Sequence, residues 1–394
     1  MKGQTDIVEF DLDRIVNRVD TDSAKWNRYG PDVLCLSGAE MEFAPSEPII
    51  RALRERLVHR MLGYNREPLE LREVVVARLQ TLYGWRVSPD ALVFLPSVVV
   101  SMNMACHAVA RPGSDVLVQT PVYGPILRAP GNAELTCNAV PLTRSHPGRY
   151  EIDLDALESA ITGRTRLFIL CNPHNPVARV FERRELEQMA AVCLRHGVVI
   201  CADEIYSDWV FDGKQHVPIA SLSPEIGQQA ITLFGTSKSH NIPGLKAAVA
   251  VVENPELRQQ LLQASAGLVP DVNALEYVAL LEAYRRGQPW QDVVRRYLEA
   301  NRDFMVECVR AYLPEITLIK PEGTPIAWLD CRQAGIRCKP FEFFLQKARV
   351  ALNDGESYGE EGRGFVRLAF GCPRSILTDA LERMAVALRA MHQS

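Results

Sequence analysis

Through the middle of the chain, short runs of apolar and β-branched residues alternate with longer amphipathic stretches. Residues 91–96 (ALVFLP) predict a strand, and residues 98–110 the helix that follows it. Residues 115–119 (DVLVQ) predict a second strand that ends in the turn-rich TPVYGP. Residues 165–171 (TRLFILC) predict a third, followed by NPHNP and a helix over 184–196. Gly197 closes that helix at the position where a left-handed residue is favoured. Strands over 198–202, 230–234 and 247–252 complete the set. Apolar strands without polar alternation, each followed by a helix, point to a mainly parallel sheet covered on both faces.

After about residue 288 the pattern changes. It predicts a long helix over 290–312, strands over 316–319 and 326–329, and a helix over 340–348. A strand over 364–369 and a terminal helix from residue 375 follow. The expected fold is α/β: a large domain with a mainly parallel mixed sheet sandwiched by helices, plus a smaller α+β domain. The expected division is a large domain over 47–288 and a small one over 289–394, which the N-terminal segment 1–46 joins and completes.

The 394 residues, 47% hydrophobic and 23% charged, suffice for two well-buried cores. A net charge of −4 gives no basic footprint for nucleic acid. The mixed, acidic start of the chain lacks a signal-peptide core, and no apolar run is long enough to span a bilayer, so no membrane partner is expected. The ten cysteines form no C-x-x-C pair, which argues for free thiols, small buried side chains and a cytoplasmic location, with no metal site.

The unusual polar clusters fall just after strands, where ligands sit in open α/β sheets. In Thr236-Ser237-Lys238-Ser239, a lysine partly desolvated at a strand end becomes available as a nucleophile. The flanking Ser237, together with Lys246, suggests a bound anion; Lys238 also reads as an ordinary loop lysine. In Asp203-Glu204-Ile205-Tyr206, a carboxylate can hold a ring nitrogen protonated and Tyr206 can reach a ring oxygen; a helix cap and a packing aromatic are the plain alternatives. Asn175, in a tight turn fixed by two prolines, can donate to the same oxygen, whereas His174 is expected on the solvent side of its loop. Arg367 lies inside an apolar strand, where it needs a partner: a substrate carboxylate or an internal ion pair. Val98 and Val99 open a helix whose free N–H groups favour phosphate, and Tyr123 can stack on a flat cofactor.

Taken in order along nearly the whole chain, these motifs resemble the fold type I pyridoxal-phosphate (PLP) enzymes of the aspartate aminotransferase superfamily. The resemblance implies PLP held by Lys238 as a Schiff base, with Asp203 on the pyridine nitrogen and Asn175 and Tyr206 on the ring hydroxyl. It places Tyr123 against the ring, Val98, Val99, Ser237 and Lys246 by the phosphate, and Arg367 on the substrate α-carboxylate. Lys246 stands where many relatives carry Arg, so its contact would be single.

Within the superfamily the chain is most similar to the cystathionine β-lyase-type C–S lyases, through KWNRYGPDVLCL, CNPHNP, DEIYSDWVFDGKQHVPIASL, SKSHNIPGL and the LNDG…GFVRL…GCPRS tail. In that group Tyr64 reaches the phosphate of the neighbouring subunit, which implies a homodimer with shared active sites. The departures gather around the substrate. Where the lyases read W-V-A-D-M-D-F, this chain has Ser37-Gly38-Ala39-Glu40-Met41-Glu42-Phe43, with Gly38 and Ala39 expected beside the substrate. Their P-G-V-V becomes Pro96-Ser97-Val98-Val99, and the T-G after NPHNP becomes Val177-Ala178, which suggests an altered loop path. Tyr206 replaces a frequent His and is commoner in aminotransferases.

The reading that follows is β-elimination from a cysteine S-conjugate or cystathionine-like amino acid, in a specialised or biosynthetic setting. The alternative is transamination of an amino acid to a 2-oxo acid. Another PLP reaction on the same scaffold, or a non-catalytic binding protein, stands behind these. No G-x-G-x-x-G follows the first strand, which speaks against a Rossmann nucleotide-binding protein.

Overall fold

The structure, a computed structural model, describes residues 10–144 and 148–393; the first nine residues of the expected N-terminal segment lie outside them. Seven strands form the main sheet: β1 (Leu92–Leu95), β2 (Asp115–Thr120), β3 (Thr136–Pro141), β4 (Thr165–Cys171), β5 (Val199–Asp203), β6 (Ala230–Gly235) and β7 (Ala248–Val251). Their order is β1-β7-β6-β5-β4-β2-β3. Only β7 runs against its neighbours, pairing antiparallel with β1 and β6, while the other pairs are parallel. Every residue of β2, β6 and β7 is buried, as strands covered on both faces require.

The helices form where the apolar period predicts. Val98–Val109 starts at Ser97, whose hydroxyl accepts from Val100 N at 3.1 Å and so caps the first turn. Arg183–His196 carries a capping box from Glu182 and Glu185 and ends at Gly197 with φ 62°, the left-handed residue expected there.

Two features escaped the pattern. Strand β3 is largely exposed at the sheet edge, so its sequence TCNAVP lacks the apolar run that marks its neighbours. The single helix expected over 340–348 is a short α-turn, Pro340–Phe343, followed by a π-turn, Phe344–Ala348, in which Phe343 and Phe344 are both buried.

A second, antiparallel sheet holds β8 (Thr317–Leu318), β9 (Ile326–Asp330), β10 (Asn353–Asp354) and β11 (Phe365–Ala369) in the order β8-β9-β11-β10. The long helix Gln288–Tyr312 and the terminal helix Arg374–His392 pack on it through Leu298, Met305, Leu377 and Met384. Leu36, Met41 and Phe43 of the N-terminal segment join that core, and Leu34–Cys35 pairs in parallel with Val350–Ala351. The carboxyl ends of β2, β4, β5 and β6 therefore face a cleft that β11 and the N-terminal segment help to line.

Candidate active site

Strand β6 ends at Gly235 and passes into a four-residue helix, Thr236–Ser239, which carries Lys238. This short helix is held from several sides. Trp209 Nε1 donates to Lys238 O at 3.1 Å, and Gln291 Nε2 to Ser239 O at 3.4 Å. His240 follows, with Nδ1 2.8 Å from Ser239 Oγ and its ring stacked on Trp290 at 6.3 Å. The ring fits only because residue 287 is glycine: a Cβ there would lie 2.4 Å from His240 Cδ2. Burial, reinforced by Arg367, lowers the Lys238 amine to about 8, against the opposing pull of Glu40 and Asp203.

Strand β5 ends at Asp203, which is buried and accepts from Ile205 N at 3.2 Å. Burial raises its carboxyl to about 6. Neither Lys238 nor Asp203 forms a direct ion pair among the described residues, although each acts electrostatically on the other. Glu204 is engaged elsewhere, its carboxylate accepting from Ile219 N at 3.0 Å and meeting His216 Nε2 at 2.7 Å. Tyr206 is buried with its hydroxyl unpartnered.

Strand β4 ends in NPHNP. Asn175 is buried, its backbone carbonyl accepts from Tyr123 N at 3.0 Å, and its side-chain oxygen accepts from Arg367 Nη1 at 3.1 Å. His174 is not on the solvent side. It is buried against Phe181 with Nε2 2.9 Å from Pro121 O, which ties this loop to the one carrying Tyr123. Burial lowers its ring to about 4, so it is neutral and structural. At Val177-Ala178, where the sequence suggested an altered loop path, the backbone is well tied. Ala178 itself adopts φ 58°, the left-handed conformation a glycine would take, held by bonds from Glu322 N and to His174 O.

Arg367, on β11, is 2% exposed. Its guanidinium meets Asn175 Oδ1 at 3.1 Å, and Gly38 O and Asn353 Oδ1 both at 2.8 Å, and lies 5.2 Å from the Tyr358 ring centre. All of these partners are neutral, and Nε has none. Among the described residues no carboxylate pairs with this buried cation, so the internal ion pair left open by the sequence is absent.

At the sheet's end Ser237 and Thr236 are buried, and Thr236 Oγ1 is unpartnered. Val98, first in its helix, approaches Gly235, and the N–H groups of Val98 and Val99 have no helical carbonyl to meet, whereas Val100 N is capped by Ser97. Unpartnered Tyr206 and Thr236 hydroxyls, a buried lysine and carboxyl kept apart, and free helix N–H groups are what a flat, phosphorylated, carbonyl-bearing ring requires.

The family model for aminotransferases class I and II matches residues 31–384. The chain belongs to that family. Aminotransferase-fold structures similar to it contain pyridoxal phosphate, and pyridoxal phosphate is the cofactor. Cystathionine β-lyase PatB of Bacillus subtilis is 34% identical over 96% of this chain and 100% of its own length. Cystalysin from Treponema denticola, solved with pyridoxal 5′-phosphate, superposes with a TM-score of 0.93 at 27% identity, covering 97% of this chain and 99% of that one. The arginine–pyruvate transaminase AruH of Pseudomonas aeruginosa is 28% identical over 91% of this chain and 90% of its own.

Of the residues expected at an aminotransferase-family site, Lys238, Asp203, Asn175, Arg367, Tyr206, Tyr123 and Gly38 are linked by contacts and electrostatic interactions, while Ser237 is buried next to Lys238 in the chain and Val98 approaches Gly235. Val99 follows in the same first turn, and Ala39 is half-buried next to Gly38. Lys246 and Tyr64 are exposed, and no hydrogen bond or ion pair among the described residues ties either to the cluster within this chain. Asn353 went unread although it accepts from both Arg367 and Gly38 N; its signal was the LNDG segment. Tyr358, Glu40 and Asn241 were also missed, because no local pattern marks a residue that matters through its position in the fold.

Proposed function

We propose that the chain is a pyridoxal-phosphate-dependent C–S β-lyase acting on a cysteine S-conjugate or cystathionine-like amino acid. The observation that carries the reading is the buried Arg367 clamp with neutral partners only, set across the cleft from a lysine with a depressed pKa. Similarity to lyases such as PatB and cystalysin favours elimination over transamination.

Pyridoxal phosphate, when bound, supplies a carbonyl carbon that takes an amine and a ring that draws electrons from the substrate Cα. In the proposed roles Lys238 would anchor it, Asp203 would meet the ring nitrogen, and Asn175 and Tyr206 the ring oxygen. Tyr123 would lie against the ring, while Val98, Val99, Ser237 and Lys246 would receive the phosphate. Arg367, braced by Asn175, Asn353 and Gly38 O, takes the α-carboxylate in a two-pronged grip and fixes Cα beside Lys238. Lys238, neutral above about pH 8 before any ligand enters, receives the Cα proton. The electron pair left on Cα expels the thiolate from Cβ, the thiolate takes up a proton, and the released 2-aminoacrylate adds water to give pyruvate and ammonia.

The division into 1–46, 47–288 and 289–394 belongs to the same reading, supported by the two separate sheets and by the Leu34–Cys35 pairing. A homodimer with shared sites is supported by the exposed apolar run Leu57, Val58, Met61, Leu62 and Leu69 around the fully exposed Tyr64. No described helix is long and apolar enough to cross a membrane. The cysteines, seven of them buried as small apolar side chains, fit a cytoplasmic location.

The test is an assay of S-substituted L-cysteines with the PLP-loaded protein. Thiol and pyruvate should form without added 2-oxo acid and disappear in Lys238→Ala. Product formation that strictly requires a 2-oxo acid acceptor would replace this reading with transamination.

A further inference from the structure

Two points of a bound amino acid are fixed in the proposed reading: its carboxylate at Arg367 and its Cα at Lys238. One loop, residues 37–43, bridges them. At one end Gly38 N donates to Asn353 Oδ1 at 2.9 Å and Gly38 O accepts from Arg367 at 2.8 Å. At the other end Met41 N donates to Asn241 Oδ1 at 2.9 Å, while Asn241 Nδ2 donates to Met41 O at 2.9 Å and Phe43 O at 2.6 Å. Asn241 lies three residues after Lys238, and Glu42 N donates to Gly371 O at 2.8 Å. The loop is thus pinned to the carboxylate clamp and to the lysine segment.

Glu40 sits between the pins. It is half-buried, and among the anionic groups acting on the Lys238 amine it comes ahead of Asp203. Its one ionic partner among the described residues is Arg18, with Nη1 2.9 Å from Oε1. Glu42, by contrast, is buried and already held by Lys25 and Trp26. A cavity of about 520 Å³ opens here, lined among others by Glu40, Asn241, Arg18, Asp22 and Glu42. Asp22 and Glu40 thus share its wall with Arg18, while the charge of Glu42 is already met by Lys25.

We propose that Glu40, with Arg18 as its resting counter-ion, is the specificity-determining charge for the leaving-group end of the substrate and favours a sulfur substituent carrying a cation over one ending in a carboxylate. This rests on the β-elimination reading. A substrate ammonium can take the place of the partly exposed Arg18 at Glu40, whereas a substrate carboxylate meets Glu40 and Asp22 on the same wall. The pins keep the Glu40 backbone from retreating.

The experiment compares kcat/KM of the PLP-loaded protein for S-(2-aminoethyl)-L-cysteine and S-(2-carboxyethyl)-L-cysteine, with S-propyl-L-cysteine as the neutral reference. The cationic conjugate should lead the anionic one by about tenfold or more. Glu40→Gln should shrink that ratio by about tenfold, and Arg18→Gln, which frees Glu40, should enlarge it. Absorbance titrations with L-lysine, L-norleucine and L-2-aminoadipate, which have no leaving group, should give the same order of Kd and the same changes. A ratio that stays within about twofold in both variants, or a preference for the anionic conjugate, overturns the proposal. Thiol release from all three conjugates without a charge order defeats this inference and leaves the lyase reading standing. A charge order in the titrations without any thiol release does the reverse.

Discussion

Burial pushes the two ionisable groups at the centre of the site in opposite directions, and both shifts cost stability to prepare chemistry. Lys238 is lowered to about 8 and Asp203 raised to about 6. Between pH 3.8 and about 6 the folded protein keeps an Asp203 proton that the unfolded chain has released, so stability falls as pH rises through that window. Above it the full cost, about 3 kcal/mol for a shift of that size, is in place. Asp203→Asn should therefore stabilise the cofactor-free protein by about 2 kcal/mol at pH 8 in urea unfolding, have little effect on its stability at pH 4, and abolish turnover. Arg367 invites a second test at this scale. Lys in its place keeps the charge and loses the two-pronged grip, so Arg367→Lys should lower kcat/KM about 100-fold, mainly through KM. These residues could be read from the sequence because a cation in an apolar strand and polar clusters at strand ends conflict with packing alone. His174 was misread because nothing local reveals that Pro121 O lies 2.9 Å from its ring.

Among the elements, the parallel strands and the helices behind them followed from their apolar runs, and several boundaries agree within one or two residues. Strand β3 did not, because an edge strand buries little and needs no apolar signature. The turn after NPHNP is the more instructive case. Alanine stands there in place of the glycine common in similar lyases, and Ala178 adopts the left-handed conformation that glycine tolerates, fixed by its bonds to His174 and Glu322. Long-range hydrogen bonding overrode local preference. Strain of about 1–2 kcal/mol is stored there, and glycine returns part of the gain through a more flexible unfolded chain. Ala178→Gly should thus stabilise the protein by about 0.5–1 kcal/mol, read as a higher denaturation midpoint with unchanged m-value.

For the whole molecule, Arg367 and Gly38 reach the cleft from the second sheet and the N-terminal segment, while Lys238 and Asp203 come from the main sheet. The proposed homodimer extends the same logic to a second copy through the surface around Tyr64. Leu62→Asp, placed in the exposed apolar run, should convert the proposed dimer to a monomer by sedimentation and weaken PLP retention. An unchanged sedimentation coefficient would remove that run from the interface.

The central claim is that the electrons left on Cα expel a thiolate and are not stored on the cofactor. Counting thiol and pyruvate per site, with an S-substituted cysteine and no 2-oxo acid present, separates the two outcomes. Elimination predicts equal amounts of both, rising through many turnovers per site. At most one equivalent of oxo acid per site, with no thiol, would contradict it.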